Sequence, residues 1–400
     1  MQPLRTDAFL RSDGRKGIRN YILVAYLVEC AHHVAREIAW PHKEQGVQVI
    51  GFGGCYPNEY SLKMMQQLCT HPNVGAVLLV SLGCEGFDRR SLAREIENSG
   101  RPVKTLIIQK SGGTGATIAA GQEWIAETLA GLEATPRAPL YIEDLILGTV
   151  CGGSDATSGI TANPVIGRCM DQLIASGGVG VFEETGELIG CEDMMAERAE
   201  TPALAEVLRQ SVEKAARYYS VMGHGSFAPG NADGGLTTQE EKSMGAYSKS
   251  GSSPISGLVK PGDVPSRSGL YLLDVVPDGE VRFGFPNIND SAEIAELIAC
   301  GSHIVLFSTG RGSVVGSAIS PVIKVCANPE TYRNMADDMD IDAGSILEHR
   351  GTLKDLGEQL FQCTLDVACG RPSKSEALGH QEFVLGYKSF EPIGPSCFPM

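Results

Sequence analysis

The sequence contains no apolar run that approaches the roughly 18 residues needed to cross a membrane as a helix. Its N-terminal stretch is polar and lacks the apolar segment of a secretory signal. It also has no block rich in lysine and arginine: 48 acidic residues outnumber 33 basic ones, for a formal charge of −15. These absences exclude an integral membrane protein and disfavour nucleic acid as a partner. We therefore expect a cytoplasmic chain that binds neither membranes nor nucleic acid.

Two common metal and phosphate motifs are also missing. None of the 12 cysteines belongs to a CxxC pair, so the chain has no local zinc-type motif. The glycine-rich stretches never follow the GxxxxGK[ST] order of a phosphate-binding P-loop. In a cytoplasmic chain the cysteines are expected to be reduced, so one at a special position is a candidate ligand or catalyst.

The sequence does contain an alternation of apolar strands and amphipathic helices. Its 400 residues exceed what a single core usually spans, so two domains are expected. The alternation predicts an α/β fold in which each domain has a mainly parallel sheet flanked by helices. The proline-containing stretch 133–144 interrupts the pattern. We place the boundary there, with an N-terminal Rossmann-like domain over 1–140 and a C-terminal catalytic domain over 141–400.

Three cysteines share one local pattern, in which a strand ends beside glycine and a thiol lies at its carboxyl end. They are Cys55 in GFGGCYPN, Cys84 in SLGCEG and Cys151 in GTVCGGSD. Ligand sites of parallel α/β sheets lie outside the carboxyl ends of the strands. The three thiols are therefore candidate ligands of iron. The alternative is that each is a small buried residue that follows a strand.

Four residues are candidates for proton transfer. Glu85 follows Cys84 at a strand end and is a possible base or ligand; the alternative is a solvated loop glutamate. Glu241 and Lys242 follow a long glycine-rich stretch and form a possible carboxylate–lysine pair. Their alternative is a charged first helical turn after a threonine cap. His224 lies within the glycine-rich stretch and is a ligand, an acid–base group or a surface histidine.

Two glycine-bounded segments are candidate anion sites. Ser154 and Asp155 lie in a turn before a helix, where exposed backbone amides favour carboxylate, phosphate or sulfonate. Asp155 could instead cap that helix. Arg311 lies between two glycines after a strand, and its guanidinium group is suited to a carboxylate or sulfonate.

Five segments together resemble the altronate/galactarate dehydratase family, and they occur in the family's order. They are DGRKGIRNY, HPNVGAVLLVSLGCE, CGGSDATSGITANP, PGNADGGLTTQEEKS and STGRGS, and they cover nearly the whole chain. The resemblance implies an iron-dependent lyase that removes water from hydroxy acids beside a carboxylate. A small-anion-binding protein without metal or turnover is the alternative from another class, and the ordered motifs disfavour it.

The resemblance also implies a cofactor and a partner. The expected cofactor is Fe²⁺, while the cysteine pattern leaves open a [4Fe-4S] cluster with three thiolates and one open iron. The family's large catalytic chain works with a small domain of the SAF type. The large-chain motifs begin almost at once, with Asp13–Asn20. We therefore expect the small domain as a separate alpha subunit, in a higher hetero-oligomer.

Two segments depart from the sugar-acid dehydratases of that family. Before PGN those enzymes carry an asparagine-rich stretch suited to a polyhydroxylated substrate, whereas this chain reads GHGSFAPGN. After the strand at 269–276 a short turn is replaced by VPDGEVRFGFPNINDSAEIAELI, which brings Arg282. Fewer amide partners and an added arginine predict a shorter, more anionic hydroxy acid, with Arg282 among the residues that bind it.

Overall fold

The computed structural model of the chain describes residues 3–183, 185–222, 229–278 and 289–388. Two of the predicted site residues, His224 and Arg282, lie outside these residues. The strands are β1 (Asp7–Leu10), β2 (Lys16–Gly17), β3 (Tyr21–Tyr26), β4 (Val47–Gly51), β5 (Val74–Ser81), β6 (Val103–Ile107), β7 (Arg137–Pro139), β8 (Ile146–Cys151), β9 (Val179–Phe182), β10 (Ile255–Val259), β11 (Gly269–Leu273), β12 (Ile304–Thr309), β13 (Val322–Cys326) and β14 (Ile341–Asp342).

Helices connect most of the strands and cover the sheets. They are α1 (His32–Ala39), α2 (Glu59–Cys69), α3 (Arg89–Asn98), α4 (Thr114–Leu132), α5 (Ala162–Ala175), α6 (Glu192–Glu197), α7 (Pro202–Met222), α8 (Pro229–Asp233), α9 (Gln239–Tyr247), α10 (Asp290–Ala299), α11 (Pro329–Asn334), α12 (Leu353–Ala368) and α13 (Lys374–Leu378). Within the described ranges, no helix is both long and apolar enough to cross a membrane.

The two large sheets are built from parallel pairs. The first has the strand order β4-β3-β5-β6 and the second the order β10-β11-β9-β8-β12-β13-β14. β5 is buried along its whole length, VGAVLLVS. A strand covered on both faces reads as a continuous apolar run, which is why this stretch could be recognised from sequence. The predicted fold class is confirmed, while the division at residue 140 stays a prediction.

A third, small sheet was not anticipated. β1 pairs antiparallel with β2 and with β7, so residues from the start of the chain pair with the segment 137–139. These strands have two to four residues. They are too short to show an alternating pattern, so periodicity gives no signal for them.

The two large sheets share one core. A single buried cluster contains Leu79 of β5 together with Val150 of β8 and Phe307 of β12. A polar contact joins helices that cover the two sheets: Tyr60 of α2 donates a hydrogen bond of 2.6 Å to Glu296 of α10. Because polar groups are costly to bury without partners, such bonds fix how the sheets pack against each other.

Candidate active site

The strand order of the seven-stranded sheet reverses beside β8. From β8 the chain adds β9 on one side, and it later returns to add β12 on the other. Open α/β sheets bind ligands in the crevice at such a reversal. Here the loops after β8 and β12 are joined, because the backbone N–H groups of Gly310 and Arg311 donate to Gly153 O at 3.1 and 2.8 Å. The sequence-predicted segments around Ser154 and Arg311 are therefore neighbours.

Four side chains form a cluster at the carboxyl end of β8. The Lys242 Nζ lies 3.1 Å from Cys151 Sγ and 3.1 Å from Ser154 Oγ, and it forms an ion pair with Glu187. Cys151 Sγ is also 3.1 Å from Ser154 Oγ and 3.5 Å from a Glu187 oxygen. An ammonium group carries three N–H donors. Three acceptors surround it here, which matches the number of its donors.

The four side chains differ in how far they are exposed to solvent. Lys242, Ser154 and Cys151 are 3%, 2% and 4% exposed, whereas the Glu187 side chain is 23% exposed. Glu187 lies in the single turn of helix over Thr185–Leu188, directly after β9. It is the member of the cluster that a small molecule in the crevice can reach most easily.

The turn that carries Glu187 packs against Tyr219 of α7, which lies among acidic residues. A side chain at Gly186 would overlap the Tyr219 ring, so glycine is needed at this position. Burial raises the pKa of Tyr219 well above its usual value, and the charges of Glu293, Glu187 and Glu183 raise it further. The Tyr219 hydroxyl therefore stays protonated beside the cluster.

Glu241 and Lys242, which were predicted to form a pair, lie in different environments. Thr238 caps α9, as its alternative interpretation anticipated. Glu241 is exposed and accepts hydrogen bonds of 2.8 Å from both the backbone and the hydroxyl of Thr237, which lower its pKa. Lys242, on the buried face of the same helix, is paired with Glu187. We infer that Glu241 stabilises the start of α9.

The loop after β8 is held by its own side chains. Asp155 accepts hydrogen bonds from the backbone and hydroxyl of Thr157 at 2.9 and 2.6 Å, and from Asn328 at 3.0 Å. The N-cap residue of α5 is Thr161, so Asp155 caps this turn rather than the helix. Both of its carboxylate oxygens are occupied. This arrangement leaves Ser154 as the better placed of the two predicted anion contacts.

Arg311 occupies the other side of the crevice. Its side chain is exposed and donates a hydrogen bond to the carbonyl of Gly230, in α8. Asn231 of the same short helix donates to Ser154 O at 3.1 Å. α8 thus bridges the two predicted anion segments. A guanidinium group has five N–H donors, so Arg311 has donors in addition to this bond for a bound anion.

The other predicted residues lie at the carboxyl edge of the four-stranded sheet. Cys55 and Cys84 are exposed there, and the Gly86 N–H donates to Cys55 O at 2.7 Å. Glu85 is 7% exposed and accepts hydrogen bonds from the Ser81 hydroxyl and, at 2.8 Å, from the Gly83 N–H. Burial alone would raise the pKa of Glu85, but these hydrogen bonds outweigh it and lower the pKa.

The described residues do not furnish a metal site by themselves. Among them, no three histidine, cysteine, aspartate or glutamate side chains are grouped as metal ligands would be. Cys55, Cys84 and Cys151 accordingly do not form a ligand set in this structure. Their assignment as iron ligands stays a prediction.

Glu187 is the residue that sequence reasoning missed. The signal was present, because VGVFEETGEL places acidic residues directly after a strand. The rule that selected Cys151, a reactive side chain at the carboxyl end of a parallel strand, applies equally to this segment. What the sequence does not show is that β9 lies beside β8.

Comparison with known proteins agrees with this organisation. A family described as D-galactarate/Altronate dehydratase, C-terminal, matches residues 142–390. One described as D-galactarate dehydratase/Altronate hydrolase, second domain, matches residues 8–133. The chain belongs to the galactarate/altronate dehydratase family. The resemblance predicted from the five motifs is thereby confirmed.

Individual relatives cover almost the whole chain. The (2R)-sulfolactate sulfo-lyase subunit beta of Chromohalobacter salexigens is 32% identical, over 94% of this chain and 96% of that protein. The altronate dehydratase of Escherichia coli is 30% identical, over 94% of this chain and 76% of that enzyme. The galactarate dehydratase (L-threo-forming) of the same organism is 30% identical, over 78% of this chain and 59% of that enzyme. Relatives of this family are lyases and dehydratases, and the chain is an enzyme of this kind.

Proposed function

We propose that this chain is the large subunit of a (2R)-3-sulfolactate sulfo-lyase, which forms pyruvate and sulfite by α,β-elimination. The choice within the family rests on sequence identity. The chain is 32% identical to the sulfo-lyase subunit beta and 30% identical to altronate dehydratase, in each case over 94% of its length. The two segments that depart from the sugar-acid dehydratases, before PGN and after the strand at 269–276, support the same choice.

The cluster at the end of β8 supplies the proton chemistry of the proposed reaction. Glu187 is its most accessible carboxylate, and we assign it the removal of the C2 proton. Lys242 pairs with it and holds a positive charge where negative charge develops on the substrate carboxylate. As the C2–H bond breaks, its electrons form the C2–C3 double bond. The C3–S bond breaks as this double bond forms, and its electrons leave with sulfite.

The sulfonate must be bound by a cationic side chain, but its departure needs no general acid. Sulfite leaves as a stable anion, unlike hydroxide, so no protonated group is required beside C3. Arg311 lies on the opposite side of the crevice from the cluster and is our candidate for this contact. The proposed assignments of Arg282 and His224 stand on the sequence alone. The enol product takes a proton at C3 and loses the proton of its C2 hydroxyl group, which gives pyruvate.

Fe²⁺ belongs to the proposal as a requirement for activity. When bound, such an ion would act as a Lewis acid toward the carboxylate and hydroxyl of the substrate. The described residues do not form its ligand set, so no step is assigned to it. A separate small subunit of the SAF type completes the proposed enzyme, in line with a relative that is named a subunit.

A second candidate is a sugar-acid dehydratase of the altronate or galactarate type. It is favoured by the 30% identity to altronate dehydratase over nearly the whole chain, only slightly below the value for the sulfo-lyase subunit. The two reactions share proton removal beside a carboxylate and differ in the leaving group. A dehydratase needs an acid for hydroxide where a sulfo-lyase needs a cation for sulfonate.

The deciding experiment is an anaerobic turnover assay with Fe²⁺ and the co-expressed small subunit. Sulfolactate, altronate and galactarate are offered separately, and sulfite and keto acid are both measured. We expect sulfite and pyruvate in equal amounts from sulfolactate alone. A keto-deoxy sugar acid formed without sulfite would contradict the sulfo-lyase and support the dehydratase.

Matched variants then test the assigned residues. Glu187→Gln keeps the size of the side chain and removes the base, so we expect kcat to fall by about 10²- to 10⁴-fold. Glu192→Gln, at a partly exposed carboxylate that accepts a hydrogen bond from the Gly190 N–H, is the control and should stay near wild type. Arg311→Gln should raise KM for sulfolactate more than it lowers kcat if Arg311 binds the sulfonate in the ground state.

A further inference from the structure

One cavity of the structure is separate from the candidate active site. It has a volume of about 600 Å³ and lies among the turn after β1, the loop between α3 and β6, and the end of α4. Cavities of this size commonly bind small molecules. Much of its lining is small, including Gly75, Gly100 and Gly131. Two arginines, Arg11 and Arg101, also line it.

Both arginines are buried without a carboxylate partner of their own. Arg11 is 7% exposed and Arg101 is 4% exposed. Arg11 donates to Pro72 O, Asn20 Oδ1 and Arg19 O at 2.7 to 3.0 Å. These acceptors are neutral, so the bonds fix the side chain without balancing its charge.

Arg101 is held in the same way. It donates to Val74 O at 2.9 Å, to His71 O at 3.0 Å and, over 3.5 Å, to Ser99 O. A guanidinium group has five N–H donors. Each arginine therefore uses three and retains two. Long charged side chains are seldom this buried unless they are paired.

The local charge is strongly positive in a chain that is acidic overall. Burial and the charge of Arg101 lower the pKa of Arg11 to about 9. Burial and the charge of Arg15 lower the pKa of Arg101 to about 10. The nearby carboxylate, Asp13, is already bound by Arg15 at 2.7 Å. An anion in this cavity would relieve an uncompensated positive charge.

We propose that this cavity binds a phosphate- or sulfate-type oxyanion through the remaining N–H groups of Arg11 and Arg101. Such an anion presents several acceptors to two fixed guanidinium groups, which suits their paired donors. The remainder of the lining combines glycines, small apolar residues and hydroxyl side chains, and it leaves room for the body of a small molecule. The oxyanion is thus either a free ion or the head group of a phosphorylated or sulfonated metabolite.

Equilibrium dialysis of the full chain against radiolabelled inorganic phosphate, with NaCl holding the ionic strength constant, tests the proposal. Gly131→Phe places a ring at the cavity while leaving both arginines in the sequence, and an added Cβ at Gly131 meets no atom within 4 Å. Gly131→Ala is its matched control. We expect saturable binding in the wild type and in Gly131→Ala, and at least tenfold weaker binding in Gly131→Phe. Arg101→Gln should show the same loss.

The active-site crevice could also bind phosphate, so Arg311→Gln serves to separate the two sites. The proposed binding persists in Arg311→Gln and is lost in Gly131→Phe. Equal binding by wild type and Gly131→Phe, or no saturable binding by the wild type, would overturn the proposal. If Arg101→Gln fails to fold, the Gly131 pair decides the outcome. Glycerol 3-phosphate binding more tightly than phosphate would support a metabolite head group; equal or weaker binding would support the free ion.

Discussion

The carboxyl edges of the two large sheets begin from the same sequence pattern and become different environments. In the four-stranded sheet, Cys84 is exposed and Glu85 binds its own loop. In the seven-stranded sheet, Cys151 is buried and lies 3.1 Å from the ammonium of Lys242. The difference comes from a helix distant in sequence, α9, which supplies a charge to one edge. Two strands that end at a thiol therefore have different surroundings when another element covers only one of them.

The largest expected effect follows from removing that charge. Lys242→Met keeps the length of the side chain and leaves Glu187 and Cys151 beside an apolar group. We expect turnover to fall at least about 10³-fold, because the proton-transfer carboxylate loses its cation. Sulfite release is the measurement, with circular dichroism to verify folding.

Lys354→Met is the matched control for this substitution. The Lys354 side chain is 81% exposed and forms only a long contact of 4.0 Å with Glu358. It should keep wild-type turnover, since exposed ion pairs contribute little. A folded Lys242→Met variant that retains more than a tenth of wild-type turnover would contradict the proposal that the charge of Lys242 makes the edge of the seven-stranded sheet the site of the reaction.

A smaller effect is expected from comparing thiols at the two edges. Cys151→Ser changes an atom in contact with Lys242 and Ser154, and we expect turnover to fall about 10- to 100-fold, a loss of about 1.4 to 2.8 kcal/mol. Cys84→Ser changes an exposed side chain and should alter turnover less than twofold. Turnover and iron content are measured for both variants under the same anaerobic conditions.

The same pair of variants tests the three-cysteine iron site. If Cys55, Cys84 and Cys151 held a cluster together, loss of either thiol would reduce bound iron and turnover to a similar degree. Equal losses would therefore contradict the separation of the edges and establish the cluster. Unequal losses would restrict any role in the reaction to Cys151.

The fold could be predicted from the sequence because parallel strands buried on both faces are continuous apolar runs. Stretches such as VGAVLLVS must be apolar along their whole length, and the sequence predicts a helix over 114–132, the bounds that α4 has. The stretch 103–113 predicts a longer strand than β6, which ends at Ile107. A turn begins there, because the Ile107 carbonyl accepts from the N–H groups of Lys110 and Ser111, and Gly112 and Gly113 with positive φ angles lead into α4.

The site was predictable only in part, for a physical reason. Cys151, Ser154, Lys242 and Arg311 were selected from strand-end and helix-end patterns, and the structure places them around one crevice. Glu241, the neighbour of Lys242 in sequence, was predicted to be its partner. The side chains at 241 and 242 point in different directions on α9, so which carboxylate faces the lysine depends on tertiary packing.

The smallest expected effect concerns Glu85 and tests whether its edge takes part in catalysis. In Glu85→Gln we expect turnover within twofold of wild type and a loss of about 1 kcal/mol of unfolding free energy at pH 7, because charge-assisted bonds from Ser81 and Gly83 weaken. Folding lowers the pKa of Glu85, so its stabilisation is present above the unfolded-state pKa, near 4.3, and is lost as the pH falls through the folded-state pKa.

The difference in unfolding free energy between wild type and Glu85→Gln, measured by urea unfolding at each pH, should therefore stay nearly constant from pH 7 to about pH 5 and shrink as the pH falls below the unfolded-state pKa, near 4.3. A carboxylate with a lowered pKa is a poor base, which is why little effect on turnover is expected. A hundredfold loss of turnover with unchanged stability would make Glu85 the base. It would also show that the exposed edge of the four-stranded sheet, and not the cluster around Lys242, is where the substrate loses its proton.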